Sequence, residues 1–329
     1  MFTKVLVPLD GSEVSKGILP FVTEIAREME IGVVLARAMD FDHLEEGVVD
    51  SDLGRLLRSL REDGANVPSG HATRAEPWAS NLAARIERAI RAPLDDFAAE
   101  LAHDEITAET AIRYGPASDA IIGMARETGC DLIAMSTRGR SLLASGILGS
   151  VTYKVLHESP LPVLAITPER ASMYTESDYA LSRVIVPLDG SELAETVLPY
   201  ATTLAGRMNL ELTLVRVVHD GGELVDDGML TLDLLAGIDK KAAAKAVDYL
   251  ATVKRGLSDS GIEAGTELLR GKISSEIAAY AHRMEHCMIA LTTHGRSGAS
   301  RLLLGSVAEA VVRESGIPVL VVRADTTDH

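Results

Sequence analysis

The chain has 329 residues, a formal net charge of −16, and 47% hydrophobic but only 4% aromatic residues. That length suits two domains of ordinary size, whose cores Val, Ile, Leu and Ala must build. The acidic balance excludes a nucleic-acid backbone as the expected partner, because that contact needs a basic face.

Taken in chain order, Val5–Leu9 is an apolar run ending at a turn and reads as a buried parallel strand. Glu13–Met29 has helical apolar spacing, with Pro20 expected to bend it. Val33–Ala38 predicts a second strand. Within about Asp40–Asp104, Asp52–Glu62 and Trp78–Arg91 read as helices, the latter ending at Pro93, with a loop over Gly64–Gly70 between them. Strands are expected at Glu109–Tyr114, Leu132–Ser136 and Val163–Ile166, with helices at Ala117–Thr128 and Ser150–Glu158. The polar stretch Thr167–Leu181, which contains Pro168, reads as a linker. Beyond it strands follow near Val184–Leu188, Leu212–Val217, Thr266–Leu269, Met288–Thr292 and Val319–Val322. Strand–helix alternation of this kind gives a parallel sheet covered on both faces.

The second half repeats the first. Lys4-Val-Leu-Val-Pro-Leu-Asp-Gly-Ser12 returns as Arg183-Val-Ile-Val-Pro-Leu-Asp-Gly-Ser191, at an offset of 179. Leu148-Gly-Ser-Val151 returns as Leu304-Gly-Ser-Val307, and Pro162-Val-Leu164 as Pro318-Val-Leu320, at an offset of 156. The first copy therefore carries 23 extra residues in its middle. The last strands, Val163–Ile166 and Val319–Val322, are expected at sheet edges, where they could pair across a pseudo-twofold axis and hide those edges.

The densest chemistry follows the fourth strand of each copy. Copy one reads Ser136-Thr-Arg-Gly139-Arg140, then Gly149-Ser150-Val151; copy two reads Thr292-Thr-His-Gly295-Arg296, then Gly305-Ser306-Val307. The two glycines stand ten positions apart in both copies. A glycine after a strand lets backbone approach a ligand closely. The second glycine opens a helix, whose unpaired amides and positive dipole end attract anions. Ser150 and Ser306 could donate to a phosphate oxygen, or else be simple helix caps. The spacing is neither that of the Walker loop nor that of the Rossmann fingerprint. Asp10 and Asp189 end the first strands, at the edge where an open α/β sheet holds its ligand crevice. Either carboxylate could take ribose hydroxyls or a phosphate-bound metal, or merely favour a helix start. Pro8, Leu9, Pro187 and Leu188 would then line the wall for a base.

Together these motifs resemble the universal stress protein family, and the resemblance covers both halves apart from the inserted and linking segments. It implies two tandem doubly wound five-stranded parallel-sheet domains of the adenine-nucleotide alpha-hydrolase-like type, strand order 3-2-1-4-5. The first would span 1–168 with a helical insertion around 40–104, the linker 169–181, and the second 182–325. It also implies ATP as ligand, with Mg accompanying it near Asp10 and Asp189. Gly139, Gly149, Gly295 and Gly305 map onto the family's later motif glycines, and Ser150 and Ser306 onto its hydroxyl. Val151 and Val307 follow as phosphate-facing amides. Ala38 and Val217 map beside adenine, and Met135 and Leu291 precede the first motif glycine. Two departures stand out. That first glycine is Ser136 in copy one and Thr292 in copy two, and Arg138 replaces the histidine kept as His294. Copy two is thus nearer the family pattern.

The remaining features are weaker. Cys130 and Cys287 suit a reducing, cytoplasmic setting. The trio His282, His286 and Cys287 has metal-like spacing but reads as two surface histidines and a buried thiol. Asp226-Asp227-Gly228 lacks the alternating acids of a calcium loop. The longest apolar runs are strand-length, so no membrane association is expected, and Met1–Pro8 shows no signal-peptide core. No general base or nucleophile is matched to a γ-phosphate, so the expectation is a regulatory ATP ligand with slow or no hydrolysis. The alternative is a non-catalytic interaction module whose pocket is empty or differently occupied. The two copies would form an intramolecular pseudo-dimer, and two chains could pair again as a homodimer.

Overall fold

The structure, a computed structural model, describes residues 2–39, 77–137, 148–167, 181–218, 232–284, 286–293 and 304–323. Two compact units emerge, Phe2–Leu143 and Ala144–His329.

In the first unit, β1 (Lys4–Pro8), β2 (Gly32–Met39), β3 (Ala108–Tyr114) and β4 (Leu132–Ser136) form a parallel sheet in the order β3-β2-β1-β4. β1 is central, with Val5 opposite Val33 on one side and Leu132 on the other. β4 is buried from end to end, as a strand covered on both faces must be. Among the described residues, these strands are joined by α1 (Glu13–Lys16), α2 (Leu19–Met29), α3 (Pro77–His103) and α4 (Ala117–Glu127).

Two expectations need correction here. The single bent helix over Glu13–Met29 is two helices, broken at Gly17–Ile18, with Pro20 in the first turn of α2. A proline there loses no hydrogen bond, because first-turn amides have no partner within the helix. The helix expected to stop at Pro93 instead runs on to His103. Its apolar face decides this: Ile90, Leu94 and Leu101 are buried where α3 packs on β3 and β2. Each such side chain contributes roughly 1.5–3 kcal/mol, together more than the ~3 kcal/mol an interior proline costs.

The second unit begins with α5 (Ser150–Glu158) and β5 (Val163–Ile166) of the first repeat and holds the whole second repeat. That repeat runs β6 (Arg183–Pro187), α6 (Glu192–Glu195), α7 (Leu198–Arg207), β7 (Glu211–Val218) and α8 (Leu232–Asp259). It continues through β8 (Ala264–Arg270), α9 (Ile273–Arg283), β9 (Cys287–Thr292), α10 (Ser306–Glu314) and β10 (Val319–Val322). Its five strands are parallel, in the order β8-β7-β6-β9-β10, which is 3-2-1-4-5 counted within the repeat. The free side of β10 takes β5 antiparallel, with Leu320 opposite Leu164. The last strands of the two repeats thus cover each other, as their edge positions led one to expect.

α8 occupies the same place between second and third strands as α3. α3 is therefore a shared element, and the extra length of the first repeat falls within 40–76. The predicted helix Asp52–Glu62 and loop Gly64–Gly70 lie there, outside the described residues, as do positions 168–180 of the predicted linker. No helix among the described residues is long and apolar enough to cross a membrane.

Both repeats leave their first strand through Asp-Gly-Ser. Gly11 and Gly190 have φ of 81° and 80°, a left-handed conformation in which a Cβ meets the following carbonyl. Ser12 and Ser191 then cap the short helices, accepting from the amides of Ser15 and Ala194.

Two stability measurements follow. Gly190→Val should lower the free energy of unfolding by about 1–2 kcal/mol, read from a denaturant midpoint at unchanged slope. Pro93→Ala should raise it, by up to ~3 kcal/mol, because α3 regains an interior hydrogen bond; a lower midpoint would mean that the packing of α3 on the sheet depends on the proline.

Candidate functional site

The second repeat carries its candidate site within one compact unit. β6 and β9 are parallel neighbours, Val184 opposite Met288 and Ile185 opposite Ile289. Their carboxyl ends therefore open on the same edge of the sheet, which brings Pro187, Leu188 and Asp189 beside Leu291 and Thr292. Val217, half-buried, lies near the end of β7, the next strand over. The Thr293 amide donates to the Val322 carbonyl, and its own carbonyl accepts from the Gly305 amide at 2.7 Å. That last bond pins the start of α10 to the end of β9.

The helix start is open. Gly305 is the N-cap, extended at φ −61° and ψ 141°, and having no side chain it leaves the first turn uncapped. The Glu309 amide closes onto the Gly305 carbonyl at 2.9 Å, so the amides of Ser306, Val307 and Ala308 come before the first intrahelical donor and have no acceptor within the helix. Ser306 and Val307 are exposed. The reading of Ser306 as a plain cap therefore fails: it is the first helical residue, with its hydroxyl and amide at the positive end of the helix. The Gly305 amide, by contrast, is already taken by Thr293.

Asp189 is held by its own loop. Its Oδ1 accepts from the Ser191 amide at 2.9 Å and from the Ser191 hydroxyl at 2.5 Å. Asp189 thus braces the residue that caps α6, and is not itself the cap. Leu188 is buried, 3% exposed, with its amide donating to the Val215 carbonyl at 2.8 Å. Of the Pro187–Leu188 pair, only the half-buried proline keeps appreciable surface at the strand end.

Three side chains absent from the sequence reading complete the surroundings. Arg216, one residue before Val217, donates from Nη1 to the Leu188 carbonyl at 3.0 Å. Its guanidinium lies 5.9 Å from the ring centroid of Tyr249, on α8. The Tyr249 hydroxyl donates to Glu195 Oε1 at 2.9 Å. Burial pushes the Tyr249 phenol above its ordinary range, and the Glu195 carboxylate adds to this by accepting its proton and by its charge. The signal that could have found Arg216 was in the repeat: Arg37 and Arg216 share one position in two otherwise apolar strands.

In the first unit the same local geometry recurs. Asp10 Oδ1 accepts from the Ser12 amide at 2.8 Å and hydroxyl at 2.5 Å, and Arg37 Nη1 donates to the Leu9 carbonyl at 3.0 Å. Pro8, Asp10 and Ala38 are half-buried at the ends of β1 and β2, while Leu9, Met135 and Ser136 are buried. The Asp10 amide also donates to the Ser15 hydroxyl at 3.2 Å, a bond the second repeat lacks because Ala194 stands at that position. In the second unit, but still within the first repeat, Gly149 caps α5 with no side chain, at φ −63° and ψ 143°, ahead of Ser150 and Val151. Here too the serine is the first helical residue and not the cap. Gly139, Arg140, Gly295 and Arg296, with Arg138 and His294, lie outside the described residues.

The weaker features resolve plainly. His282 and His286 are exposed, and Cys287 is buried with its Sγ 3.3 Å from the Ala281 carbonyl. Among the described residues no group of His, Cys, Asp and Glu could hold a metal ion. Burial raises the Cys130 thiol above its ordinary range, which keeps it protonated and unreactive at neutral pH. Asp226-Asp227-Gly228 lies outside the described residues.

Known proteins agree with this architecture. The model of the universal stress protein family matches residues 1–167 and again 181–323. A universal stress protein of Methanocaldococcus jannaschii is 28% identical over 152 residues, covering 46% of this chain and 88% of the relative. One from Mycobacterium tuberculosis H37Rv is 28% identical over 196 residues, covering 59% of this chain and 62% of the relative. Among solved structures, a universal stress protein from Archaeoglobus fulgidus superposes with a TM-score of 0.66 at 21% identity, over 98% of both chains. At that identity it attests the fold alone. Two matched segments, one repeated motif set and one shared strand order make the chain a member of the universal stress protein family, with two copies of the family's domain in tandem.

Proposed function

We propose that this protein binds ATP, with Mg accompanying it, as a regulatory ligand in the response to stress, with slow or no hydrolysis. The observation that carries the reading is the uncapped start of α10. Glycine at the N-cap supplies no side chain to the Ser306, Val307 and Ala308 amides, and the Thr293–Gly305 bond sets that helix start at the end of β9. An anion of several oxygens suits such a set of donors. Asp189, one strand away, offers a carboxylate where the hydroxyls of a ribose or a phosphate-bound cation would lie, and Val217 an apolar surface for a base. The first repeat carries the corresponding residues, Asp10, Ala38, Met135 and Ser136 in one unit and Gly149, Ser150 and Val151 in the other. In this reading the ligand is sensed and not consumed. The cytoplasm, where ATP abounds, is the setting that suits such a sensor. The two repeats would act as a pseudo-dimer within one chain.

A proline substitution tests this cleanly. Ser306→Pro removes one amide and one hydroxyl from the helix start, yet proline is favoured at the first helical position and Gly305 already has the extended backbone that must precede it. The unliganded variant should therefore unfold at nearly the parent temperature. Saturating the parent with Mg-ATP at 100 times Kd should add roughly 2.7 kcal/mol, or about 5 °C or more in Tm. Ser306→Pro should lose part of that shift, and Ser150→Pro together with Ser306→Pro most of it. A parent protein indifferent to millimolar Mg-ATP would instead favour an interaction module with an empty or differently occupied pocket.

A further inference from the structure

We infer that Arg216 is a positioning residue for the second nucleotide site, acting through the loop that carries Asp189. The inference rests on the nucleotide reading above. Leu188 is the last residue before Asp189, and both of its backbone polar groups are held. Its amide is held by the Val215 carbonyl, and its carbonyl by the Arg216 guanidinium. The arginine thus adds a side-chain rung to the β6–β7 ladder just where the two strands part. Immediately beyond, Gly190 turns the chain at positive φ and Ser191 ties back to the Asp189 carboxylate. Asp189 is therefore suspended between one anchored residue and one obligate turn, and the anchor is a charge-assisted bond, the stronger kind.

The arginine is itself braced. Tyr249 lays its ring against the guanidinium and hands its hydroxyl to Glu195, on the helix that the Asp189 loop enters. The brace closes a circuit from β7 through α8 to α6 and back to the loop. It belongs to the second repeat alone. At the positions of Tyr249 and Glu195 the first repeat has Pro93 and Lys16, and Lys16 there pairs with Glu13 and lies 5.4 Å from the centroid of the Phe97 ring. Arg37 still donates to the Leu9 carbonyl, so the anchor is common to both repeats while the brace is specific to one.

The test is a double-mutant cycle read by calorimetric titration with Mg-ATP, on the full chain carrying Ser150→Pro so that the second site is titrated. Arg216→Met should weaken binding about tenfold, Arg216→Lys should recover part of the loss, and Tyr249→Phe should weaken it about two- to threefold. In an Asp189→Ala background, Arg216→Met should cost little more, because the arginine acts through the aspartate. Arg216→Lys and Tyr249→Phe carry the test if Arg216→Met does not fold. Fully additive losses would overturn the positioning role, since the arginine would then act independently of Asp189. Unchanged affinity in the Arg216 and Tyr249 variants of a protein that does bind would also overturn it, while leaving nucleotide binding intact. A parent that binds no nucleotide would overturn both readings together.

Discussion

The hydrogen bond from the Gly305 amide to the Thr293 carbonyl is the joint on which the second repeat's crevice depends. It occupies the first amide of the Gly-Ser-Val run. In doing so it fixes the start of α10 at the end of β9, just ahead of the exposed Ser306 and Val307. A helix start normally satisfies its orphan donors with a capping side chain. Here glycine withholds that side chain, in both repeats and with nearly the same backbone angles. The unsatisfied donors are thus a property of the chain's construction, and they remain for solvent or a ligand to fill.

The opposite wall follows a contrasting logic. Asp189 and Asp10 are bound tightly into their own turns, each by an adjacent serine through amide and hydroxyl. A carboxylate so held has a fixed direction before any ligand arrives, which limits the ordering cost of binding. The arginine on the neighbouring strand extends this rigidity by one residue. Its cost is a cation placed among apolar strand residues, acceptable because the carbonyl it meets has left the regular ladder.

Duplication has kept the two repeats alike where strands end and allowed them to diverge on the helices behind. The anchors Arg37 and Arg216 are the same. Yet α3 carries a proline at the position where α8 carries the tyrosine that braces the anchor. That proline is tolerated inside a helix because three aliphatic residues around it are buried against the sheet. The pairing of β5 with β10, through Leu164 and Leu320, buries what would otherwise be two apolar sheet edges.

Much of this was legible in the sequence, because duplication writes each element twice. Apolar runs ending at Asp-Gly-Ser located the first strands to within a residue or two, and the recurring Gly-Ser-Val located the helix starts. The aspartates and the glycine-led helices could be assigned to one sheet edge because parallel strands all end on the same side. Other features needed tertiary structure. Local propensity stops a helix at Pro93, and only the packing of Ile90 and Leu94 on the sheet carries it through. Spacing alone could not say whether Gly305 or Ser306 is the cap, since both are common there and the choice rests on backbone angles set by the bond to Thr293. The circuit of Arg216, Tyr249 and Glu195 joins residues up to 54 positions apart, and no periodicity connects them. The sequence by itself determined a repeated parallel α/β domain with its candidate anion-binding turns. Which groups are already satisfied by the chain, and which face outward, was decided only when distant segments met, because hydrogen bonds are short and directional.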